Sequence, residues 1–413
     1  MGLMTDVNGT GQVSDDTSLA INGGAPVRSV PMPARLAFGP AEMAQIDAVF
    51  EFYNEAGLDP GYQGPFESRY CDAFVRYMDG GHADAVSSGT AALFVSLAAL
   101  ALPAGSHVIT SSITDPGTLS AIILNGLTPK LADTQPNSYN MGVEQFVSRI
   151  DGNTRAVVVV HASGQAAEID AIVAEAHRRD IRVLEDCSQS HGASWNGKKV
   201  GKFGDIAAFS TMYRKAHITG SCGGVVYSDD TELHHLALAH ADRGKPRWSS
   251  DFDDRDPTNY LFPALNFHAD EISCAIGIAS LGRLEETRKA RLGYIKGLDA
   301  LKRVSNLCTP YGWSENDSPF YYPIVFSDDT RSIDKIAFAR AVLAEGIGLN
   351  PHYQYVVSDW PWVRKYLADD FGCPNARSIR DRSFNLYVNE KYGEAEVRDT
   401  IDAIVKVERS IFP

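Results

Sequence analysis

The sequence predicts an α/β protein with a mostly parallel central sheet in a large domain, followed by a smaller C-terminal α+β domain. Apolar runs such as RAVVVVHASG alternate with helical patterns such as EIDAIVAEAHRRD, which is the order of strand–helix–strand units. These runs lack apolar–polar alternation, as expected of strands that are covered on both faces. From about Ser305 short strands and helices are mixed, which indicates a second, smaller unit.

Length and composition set bounds on the protein class. A chain of 413 residues is long enough for two or three domains, and 44% hydrophobic with 22% charged residues is typical of a globular protein. Acidic residues outnumber basic ones by 52 to 38, giving a net charge of −14. Without a Lys/Arg cluster, we expect neither a nucleic-acid nor a membrane partner. No apolar run approaches the roughly 20 residues that cross a bilayer.

The N-terminal sequence and the spacing of the cysteines predict a cytoplasmic protein. The N-terminus lacks the basic-then-apolar order of a secretory signal, and the six cysteines are scattered without CxxC spacing. We therefore expect reduced thiols, a cytoplasmic location and no metal site. The predicted division is a disordered leader over 1–18, a large domain with an N-terminal arm over 19–265, and an interdomain helix with a small C-terminal domain over 266–413.

The first third of the chain predicts an arm, two helices and a short strand. LAINGGAPVRSVPMP is punctuated by Gly and Pro and predicts an extended arm on the body of the protein. AEMAQIDAVFEFYNEAG has apolar residues at helical spacing and ends at a Gly C-cap signal. GYQGPFESRYCDAFVRYMDG predicts a loop and an amphipathic helix, and residues 83–86 predict the strand.

That strand runs into SSGTAALFVSLAALAL, a strongly apolar helix that begins at Ser88, Gly89 and Thr90. A helix start of this kind offers free N–H groups, the positive end of the dipole and two hydroxyls to an anion. The alternative is an ordinary Ser/Thr N-cap without a ligand. Taken alone, the pattern favours the N-cap.

The predicted parallel strands end in polar residues. His161 ends one apolar run, Asp186 and Gln189 follow the next, and Ser210 and Lys215 follow a third. In open parallel sheets ligands bind at the carboxyl ends of the strands. Several polar groups are thus expected to converge on one edge of the sheet.

Lys215 lies in FSTMYRKAHITG, just beyond the apolar strand 206–209 and before three glycines that permit a tight turn. Burial in such a loop lowers the pKa of an amine, and a neutral amine can react with an aldehyde. Most lysines are solvated surface charges. A catalytic role for Lys215 is therefore favoured only because further polar residues are expected at the same edge of the sheet.

The later part of the chain contains further helices. His234, His235 and His240 lie in a helical segment without a pattern of paired carboxylates, so an exposed helix is favoured over a metal site. The stretch 265–301 predicts one or two long helices that bridge the domains. FYYPIVFS, DKIAFARAVLAEG and the final helix EAEVRDTIDAIVKVERSIF predict the smaller domain.

Together these residues match the needs of pyridoxal 5′-phosphate (PLP). This cofactor requires a lysine for its aldehyde, a carboxylate that keeps its ring nitrogen N1 protonated, and a phosphate cup. Lys215, Asp186 and the helix start at Ser88 supply these three parts, Ser210 adds a hydroxyl to the cup, and Gln189 donates to the phenolic oxygen. Neither GxGxxG nor GxxxxGK[ST] is present to favour a dinucleotide or P-loop site.

The chain resembles the DegT/DnrJ/EryC1/StrS family of fold-type I PLP-dependent aminotransferases. YQGPFESRYCDAF, SSGTAAL, EDCSQSHGA, GDIAAFSTMYRK and LNFHADEISCAIG carry the resemblance in the order and spacing of that family. The resemblance implies that Lys215 binds the cofactor and then moves protons, while Asp186 pairs with N1. It also implies that Asn266 reaches the phosphate of a neighbouring subunit, hence a homodimer with shared sites. The remaining cofactor contacts that it implies are Ser88, Gly89, Thr90, Gln189 and Ser210.

The resemblance implies amino transfer from glutamate or glutamine to a keto-sugar, above all a nucleotide-linked one, or to a keto-cyclitol. The product would serve amino-sugar, glycan or antibiotic biosynthesis, and the cofactor would cycle through pyridoxamine phosphate. The first alternative is a PLP-dependent dehydratase or elimination enzyme. Some dehydratases of the family carry histidine at the lysine position, so Lys215 argues against it. The second alternative is a binding protein without activity, for which the cofactor parts would be superfluous.

Substrate contacts are predicted less directly. The candidates are Tyr62, Gln63, Arg243, Lys245, His352 and Tyr353, for each of which the alternative is a solvated loop residue. Basic loop residues would suit a nucleotide diphosphate, whereas a neutral cyclitol would not need them. The sequence does not decide between these substrate classes.

The chain also departs from the family pattern. SSITDPGTL places Asp115 where many members have an aromatic residue that stacks on the cofactor ring, and a carboxylate cannot stack in that way. Ser88 stands where asparagine is common, and His268 replaces an arginine. The segment GSCGG stands near a GEGG run of other members. These departures leave the substrate less determined than the cofactor.

Overall fold

The computed structural model describes residues 17–327 and 334–411. The predicted leader falls almost entirely outside them. The strands are β1 (His82–Val86), β2 (His107–Ser111), β3 (Thr128–Ala132), β4 (Thr154–Val160), β5 (Arg182–Asp186), β6 (Ser194–Trp195), β7 (Lys198–Lys199), β8 (Ile206–Ser210), β9 (Gly224–Ser228), β10 (Cys308–Pro310), β11 (Tyr321–Phe326), β12 (Leu349–Asn350) and β13 (Ser383–Tyr387). The helices are α1 (Pro40–Ala56), α2 (Pro65–Tyr77), α3 (Gly89–Ala99), α4 (Pro116–Leu124), α5 (Val143–Val147), α6 (Ile169–His177), α7 (Thr231–Ala241), α8 (Glu271–Gly282), α9 (Leu284–Gly297), α10 (Lys335–Ala344), α11 (Pro374–Asp381) and α12 (Glu394–Ile411).

The large sheet has seven strands in the order β1-β9-β8-β5-β4-β2-β3. All except β9 run in the same direction, so the predicted α/β fold with a mostly parallel sheet is confirmed. Its interior strand β4 is buried on both faces, because helices cover each side. Val160 of β4 pairs with Asp186 of β5, which in turn pairs with Ala208 of β8. This register brings the ends of three strands into one row.

A second sheet of four antiparallel strands, in the order β10-β11-β13-β12, lies in the C-terminal part. Its core includes Phe338 of α10, Phe384 of β13 and Ile404 of α12, all fully buried. The long helical stretch predicted from residue 265 is two helices, α8 and α9, which are separated at Arg283. The division of the chain into domains stays a prediction.

The N-terminal arm packs on the C-terminal part of the protein rather than on the large sheet. The backbone N–H groups of Ala20 and Val27 each donate to the carboxylate of Glu345 at 2.9 Å. Arg28 forms an ion pair with Asp399 at 2.6 Å. These contacts join residues more than 300 positions apart, which explains why a local pattern predicted an arm but not its docking surface.

His161, Glu185 and Cys187 bring three metal-ligating side chains within 4.8 Å of one another in the core. The polar groups of the first two are satisfied by the protein. The Glu185 carboxylate accepts the backbone N–H groups of Gly201, Phe203 and Gly204 at 2.7–2.8 Å. The His161 ring accepts the Ala167 N–H at Nδ1, so its proton lies on Nε2, 3.1 Å from Glu185. The cluster is therefore explained as a support for the 201–204 loop.

No helix within the described ranges combines the length and apolar character needed to span a membrane.

Candidate active site

Lys215 lies in a closed loop beyond β8. The loop is tied at its base by Thr211 and Thr219, whose hydroxyls are 2.6 Å apart, and the Lys215 N–H donates to the Met212 carbonyl at 2.9 Å. The side chain is buried, with its amine 4.2 Å from the centre of the Phe320 ring. Burial lowers the pKa of Lys215 to about 8, against the opposing effect of Asp186 and Asp115. This amine is neutral far more often than a surface lysine.

Asp186 ends β5 and faces the same edge of the sheet. Its Oδ2 accepts a hydrogen bond from the Thr118 hydroxyl at 3.2 Å, and its Oδ1 accepts the Ser188 N–H at 3.1 Å. Burial raises the pKa of this carboxyl, while Ser188, Lys215 and Thr118 partly oppose the shift. A buried carboxylate that faces neutral hydrogen-bond donors can also accept a cationic N–H donor, which would stabilise its charge.

The start of α3 meets the end of β8 at a very close contact. Ser88 is the N-cap of α3, and its hydroxyl accepts the Ala91 N–H at 3.0 Å. A Cβ atom on Gly89 would lie 2.4 Å from the Cβ of Ser210, so only glycine allows this approach. Thr90 follows in the first turn of α3, and its Oγ1 would lie 2.5 Å from a Cβ on Gly117 of α4. The N-terminus of α3 and the Ser210 hydroxyl therefore face one small space.

Gln189 links this edge to the C-terminal part of the chain. Its Oε1 accepts the Ser163 N–H at 2.9 Å. Burial raises the pKa of Tyr353 to about 12, with the polar groups of the nearby Tyr321 and Gln189 opposing the shift. Of the predicted substrate residues, Tyr353 is thus the one that lies beside Gln189.

Asn266 belongs to a second group of side chains. Its amide donates to the Tyr62 hydroxyl at 3.3 Å, and Tyr62 stacks on His268 with ring centres 4.5 Å apart. The Arg243 guanidinium lies 5.3 Å from the centre of the Tyr62 ring and pairs with Asp242 at 2.7 Å. Within the described ranges, none of the hydrogen bonds, ion pairs or ring contacts of this group reaches Lys215 or Asp186.

The other predicted substrate residues have partners of their own. The Gln63 N–H donates to Glu67 at 2.9 Å, and Lys245 forms an ion pair with Asp254. His352 lies 3.2 Å from the Lys335 amine. These three residues are not brought to Lys215, and their roles as substrate contacts stay predictions.

Three residues of the site were not predicted from sequence. Thr118 donates to Asp186 from the first turn of α4, Ser163 donates its N–H to Gln189, and Phe320 covers the Lys215 amine. For Thr118, the only indication in the sequence was its position just after the SSITDP segment. Phe320 offered no signal, because it lies 105 positions from Lys215 along the chain.

The residues at this edge fit PLP. The cofactor brings one aldehyde, one protonated ring nitrogen and one phosphate. The buried amine of Lys215, the buried carboxylate of Asp186 and the first turn of α3 beside Ser210 are the complementary groups, since an N-terminal helix turn with hydroxyls binds phosphate. The role of each residue toward the cofactor stays a prediction.

Comparison with known proteins agrees with this chemistry. The chain matches the DegT/DnrJ/EryC1/StrS aminotransferase family over residues 54–405. It is 29% identical over 427 aligned residues to a putative L-glutamine:3-amino-2,3-dideoxy-scyllo-inosose aminotransferase of Streptoalloteichus tenebrarius, with 96% of this chain and 99% of that protein covered. It is 33% identical to GDP-perosamine synthase of Caulobacter vibrioides over 230 residues, covering 55% of this chain and 59% of that protein.

A solved aminotransferase structure from Psychrobacter cryohalolentis superposes with a TM-score of 0.85 at 24% identity, covering 93% of this chain and all of that one. This likeness supports the fold-type I architecture. The family match confirms the predicted enzyme class, a PLP-dependent aminotransferase. The buried lysine, the carboxylate at a strand end and the helix start beside Ser210 agree with this family. Because the family match covers residues 54–405, the chain belongs to the DegT/DnrJ/EryC1/StrS aminotransferase family.

Proposed function

We propose that this enzyme moves an amino group from glutamine or glutamate to the carbonyl carbon of a keto-cyclitol or keto-sugar. The observation that carries the proposal is that a lysine amine and a carboxylate are both buried beyond the ends of neighbouring parallel strands, β8 and β5. The relatives from Streptoalloteichus and Caulobacter are named for a keto-cyclitol substrate and for an amino-sugar product, which supports both acceptor classes. Glutamine is the donor in the first of these names.

PLP, when bound, supplies an aldehyde and a cationic ring that withdraws electrons from the substrate carbon, and it alternates with pyridoxamine phosphate. Lys215 contributes an amine whose pKa of about 8 lets it both take up and release a proton near neutral pH. Asp186 holds the proton on the ring nitrogen, and Thr118 and Ser188 orient its carboxylate. The Gly89 turn and the Ser210 hydroxyl, which lie against each other, would bind the phosphate and so fix the position of the cofactor.

Phe320 excludes water from the lysine. Its ring lies 4.2 Å from the Lys215 amine, so the protons that this amine exchanges are shielded from bulk solvent on that side. The Gln189 side chain accepts the Ser163 N–H at its oxygen, and its amide N–H would donate to the phenolic oxygen of the ring. Phe320 shields the Lys215 amine and Gln189 would orient the cofactor ring, and neither side chain reacts itself.

The protein is proposed to act as a homodimer with shared sites in the cytoplasm. Asn266 contacts neither Lys215 nor Asp186 of its own chain within the described ranges, which suits a contact to the partner's phosphate. Apolar side chains suited to such an interface are exposed on α1 and beside Asn266, namely Met43, Phe50 and Leu265. A cytoplasmic location stays a prediction from the cysteine content.

The proposed function is tested by the donor half-reaction. The holoenzyme is mixed with glutamine or glutamate without an acceptor, and the visible absorbance of the cofactor is followed together with release of the 2-oxo acid. We expect absorbance loss and 2-oxo acid release in equal amounts with at least one of the donors. If neither donor changes the absorbance, while the cofactor is bound, the proposed amino transfer is wrong.

The pH dependence of cofactor binding gives an independent check on Lys215. Only the neutral amine reacts with an aldehyde, and below its pKa the neutral fraction rises about tenfold per pH unit. Because the pKa is lowered to about 8, we expect the rate at which apoenzyme binds PLP to rise up to about pH 8 and then level off. Stopped-flow absorbance measures this rate. A rate that keeps rising to about pH 10, as for a solvated lysine, contradicts the burial effect.

A further inference from the structure

The turn that follows β4, residues 161–165, joins two parts of the proposed active site. Ser163 in this turn is 4% exposed. Its backbone N–H donates to Gln189 Oε1 at 2.9 Å, and its carbonyl accepts the Phe320 N–H at 3.2 Å. The Phe320 ring in turn lies 4.2 Å from the Lys215 amine. Ser163 therefore lies between the amide that would face the cofactor ring and the aromatic ring that covers the lysine.

The backbone of Ser163 has a conformation that suits glycine better than serine. Its φ is 59° and its ψ is 5°, which lie in the left-handed range of φ. A residue with a Cβ atom is strained in this range, whereas glycine is not. A glycine would offer the same N–H to Gln189 and the same carbonyl to Phe320. The two backbone hydrogen bonds therefore do not explain why a serine stands here.

The hydroxyl of Ser163 carries a second energetic cost. Its Oγ is buried and has no hydrogen-bond partner among the residues that the structure describes. A buried hydroxyl without a partner loses the hydrogen bonds that water would give it. Glycine would remove both the strain and the unpaired hydroxyl. Strain and unpaired polar groups of this kind gather at sites where a ligand supplies the missing partner.

The position of Ser163 in the sheet indicates which atom of the cofactor this partner is. Strand β4, which leads into Ser163, pairs with β5, which leads to Gln189. The proposed phosphate contacts lie elsewhere, at the start of α3 and at Ser210 of β8. The phenolic oxygen is the atom proposed to face Gln189, and an ionised oxygen can accept more than one hydrogen bond.

We propose that Ser163 is a cofactor-binding residue whose hydroxyl donates to the phenolic oxygen of PLP, beside the amide of Gln189. The proposal rests on the proposed amino transfer and adds a residue to its site. When the cofactor is bound, this hydrogen bond satisfies the buried hydroxyl and offsets the strain of the left-handed turn.

The test compares Ser163→Gly and Ser163→Ala with the wild-type holoenzyme. Both variants lack the hydroxyl, and a donor to the phenolic oxygen stabilises the ionised form of that oxygen. We therefore expect the pH midpoint of the visible absorbance change of bound PLP to rise by about half a unit to one unit in both, the effect of one hydrogen bond. The Kd for PLP, from titration of the apoenzyme, should rise about threefold to tenfold.

The stability of the apoenzyme separates this role from a purely structural one. Ser163→Gly keeps the left-handed turn and removes both the strain and the unpaired hydroxyl. The thermal midpoint of its apoenzyme should therefore equal or exceed that of the wild-type apoenzyme, although the cofactor binds less tightly. A residue that served only the fold would lower the thermal midpoint and leave the absorbance of bound PLP unchanged.

Ser96→Ala is the matched control. The Ser96 hydroxyl is also buried and also lacks a partner among the described residues. It lies about two turns after Gly89 in α3, away from the ends of the strands. This variant should keep the wild-type absorbance midpoint and the wild-type Kd for PLP.

Three results would overturn the proposal: an unchanged absorbance midpoint in both Ser163 variants, a shift in Ser163→Ala alone, or an equal shift in Ser96→Ala. The second would show that the backbone, and not the hydroxyl, matters. All of these measurements need only bound cofactor. If the wild type instead fails in the donor half-reaction, the proposed amino transfer is wrong, whatever the absorbance midpoints are.

Discussion

Replacing Lys215 with alanine is expected to lower kcat/KM for amino transfer by about 10⁴-fold or more, because one group serves both as the covalent anchor and as the proton carrier. The amine is the one that burial holds at a pKa of about 8, between Phe320 and the edge that carries Asp186. Steady-state rates with glutamine and a keto-cyclitol measure the loss. Lys215→Arg should lose as much, since it keeps the charge but cannot form the bond.

Lys335 offers a matched control for this variant. It too is buried, and burial lowers its pKa to about 8, but its amine donates to the carbonyls of Pro351 and Arg380 in the C-terminal part. Lys335→Met should lower stability and leave turnover per folded molecule near the wild-type value. Comparable turnover in Lys215→Ala and wild type would contradict the catalytic role of Lys215.

Replacing Asp186 with asparagine is expected to lower kcat by about 10²- to 10³-fold, the usual cost of losing one charged group that stabilises a developing charge in a water-poor site. Asparagine keeps the size of the side chain, and its amide oxygen can still accept the Ser188 N–H. The Thr118 hydroxyl, which donates to Asp186, would instead accept from the amide N–H of asparagine. It cannot hold the ring nitrogen in its protonated form, so the ring withdraws electrons less strongly. The bound cofactor should remain visible by absorbance, which separates this variant from Lys215→Ala.

Asp133→Asn is the control for Asp186. Asp133 is also a buried aspartate at the carboxyl end of a parallel strand, just beyond β3, but its carboxylate accepts the N–H groups of Asn375 and Ala376 at the start of α11. Its replacement should lower the free energy of unfolding and leave turnover unchanged. If both variants lowered turnover equally with no difference in the cofactor spectrum, Asp186 would have only a structural role.

Much of the architecture could be predicted from local patterns. Strand β4 is a continuous apolar run, and α3 begins at a Ser-Gly-Thr sequence before an apolar stretch, so each was visible without tertiary contacts. The grouping of Lys215, Asp186 and Ser210 followed from one rule, that parallel strands end at the same edge. The observed register of Val160, Asp186 and Ala208 agrees with that rule.

Contacts between distant segments could not be predicted in this way. Phe320 covers Lys215, Tyr353 lies beside Gln189, and the arm binds Glu345, each across a long stretch of sequence. Asp115 was visible only as a departure from a family pattern.

By itself the sequence determined which chemical groups this enzyme has and at which edge of the sheet they gather, because periodicity and strand direction are local properties of the chain. The tertiary structure alone decided which of those groups are buried, which are already paired and which remain open to a ligand. Burial depends on how the C-terminal part packs against the large sheet, where Phe320 covers Lys215, and it sets the pKa of Lys215.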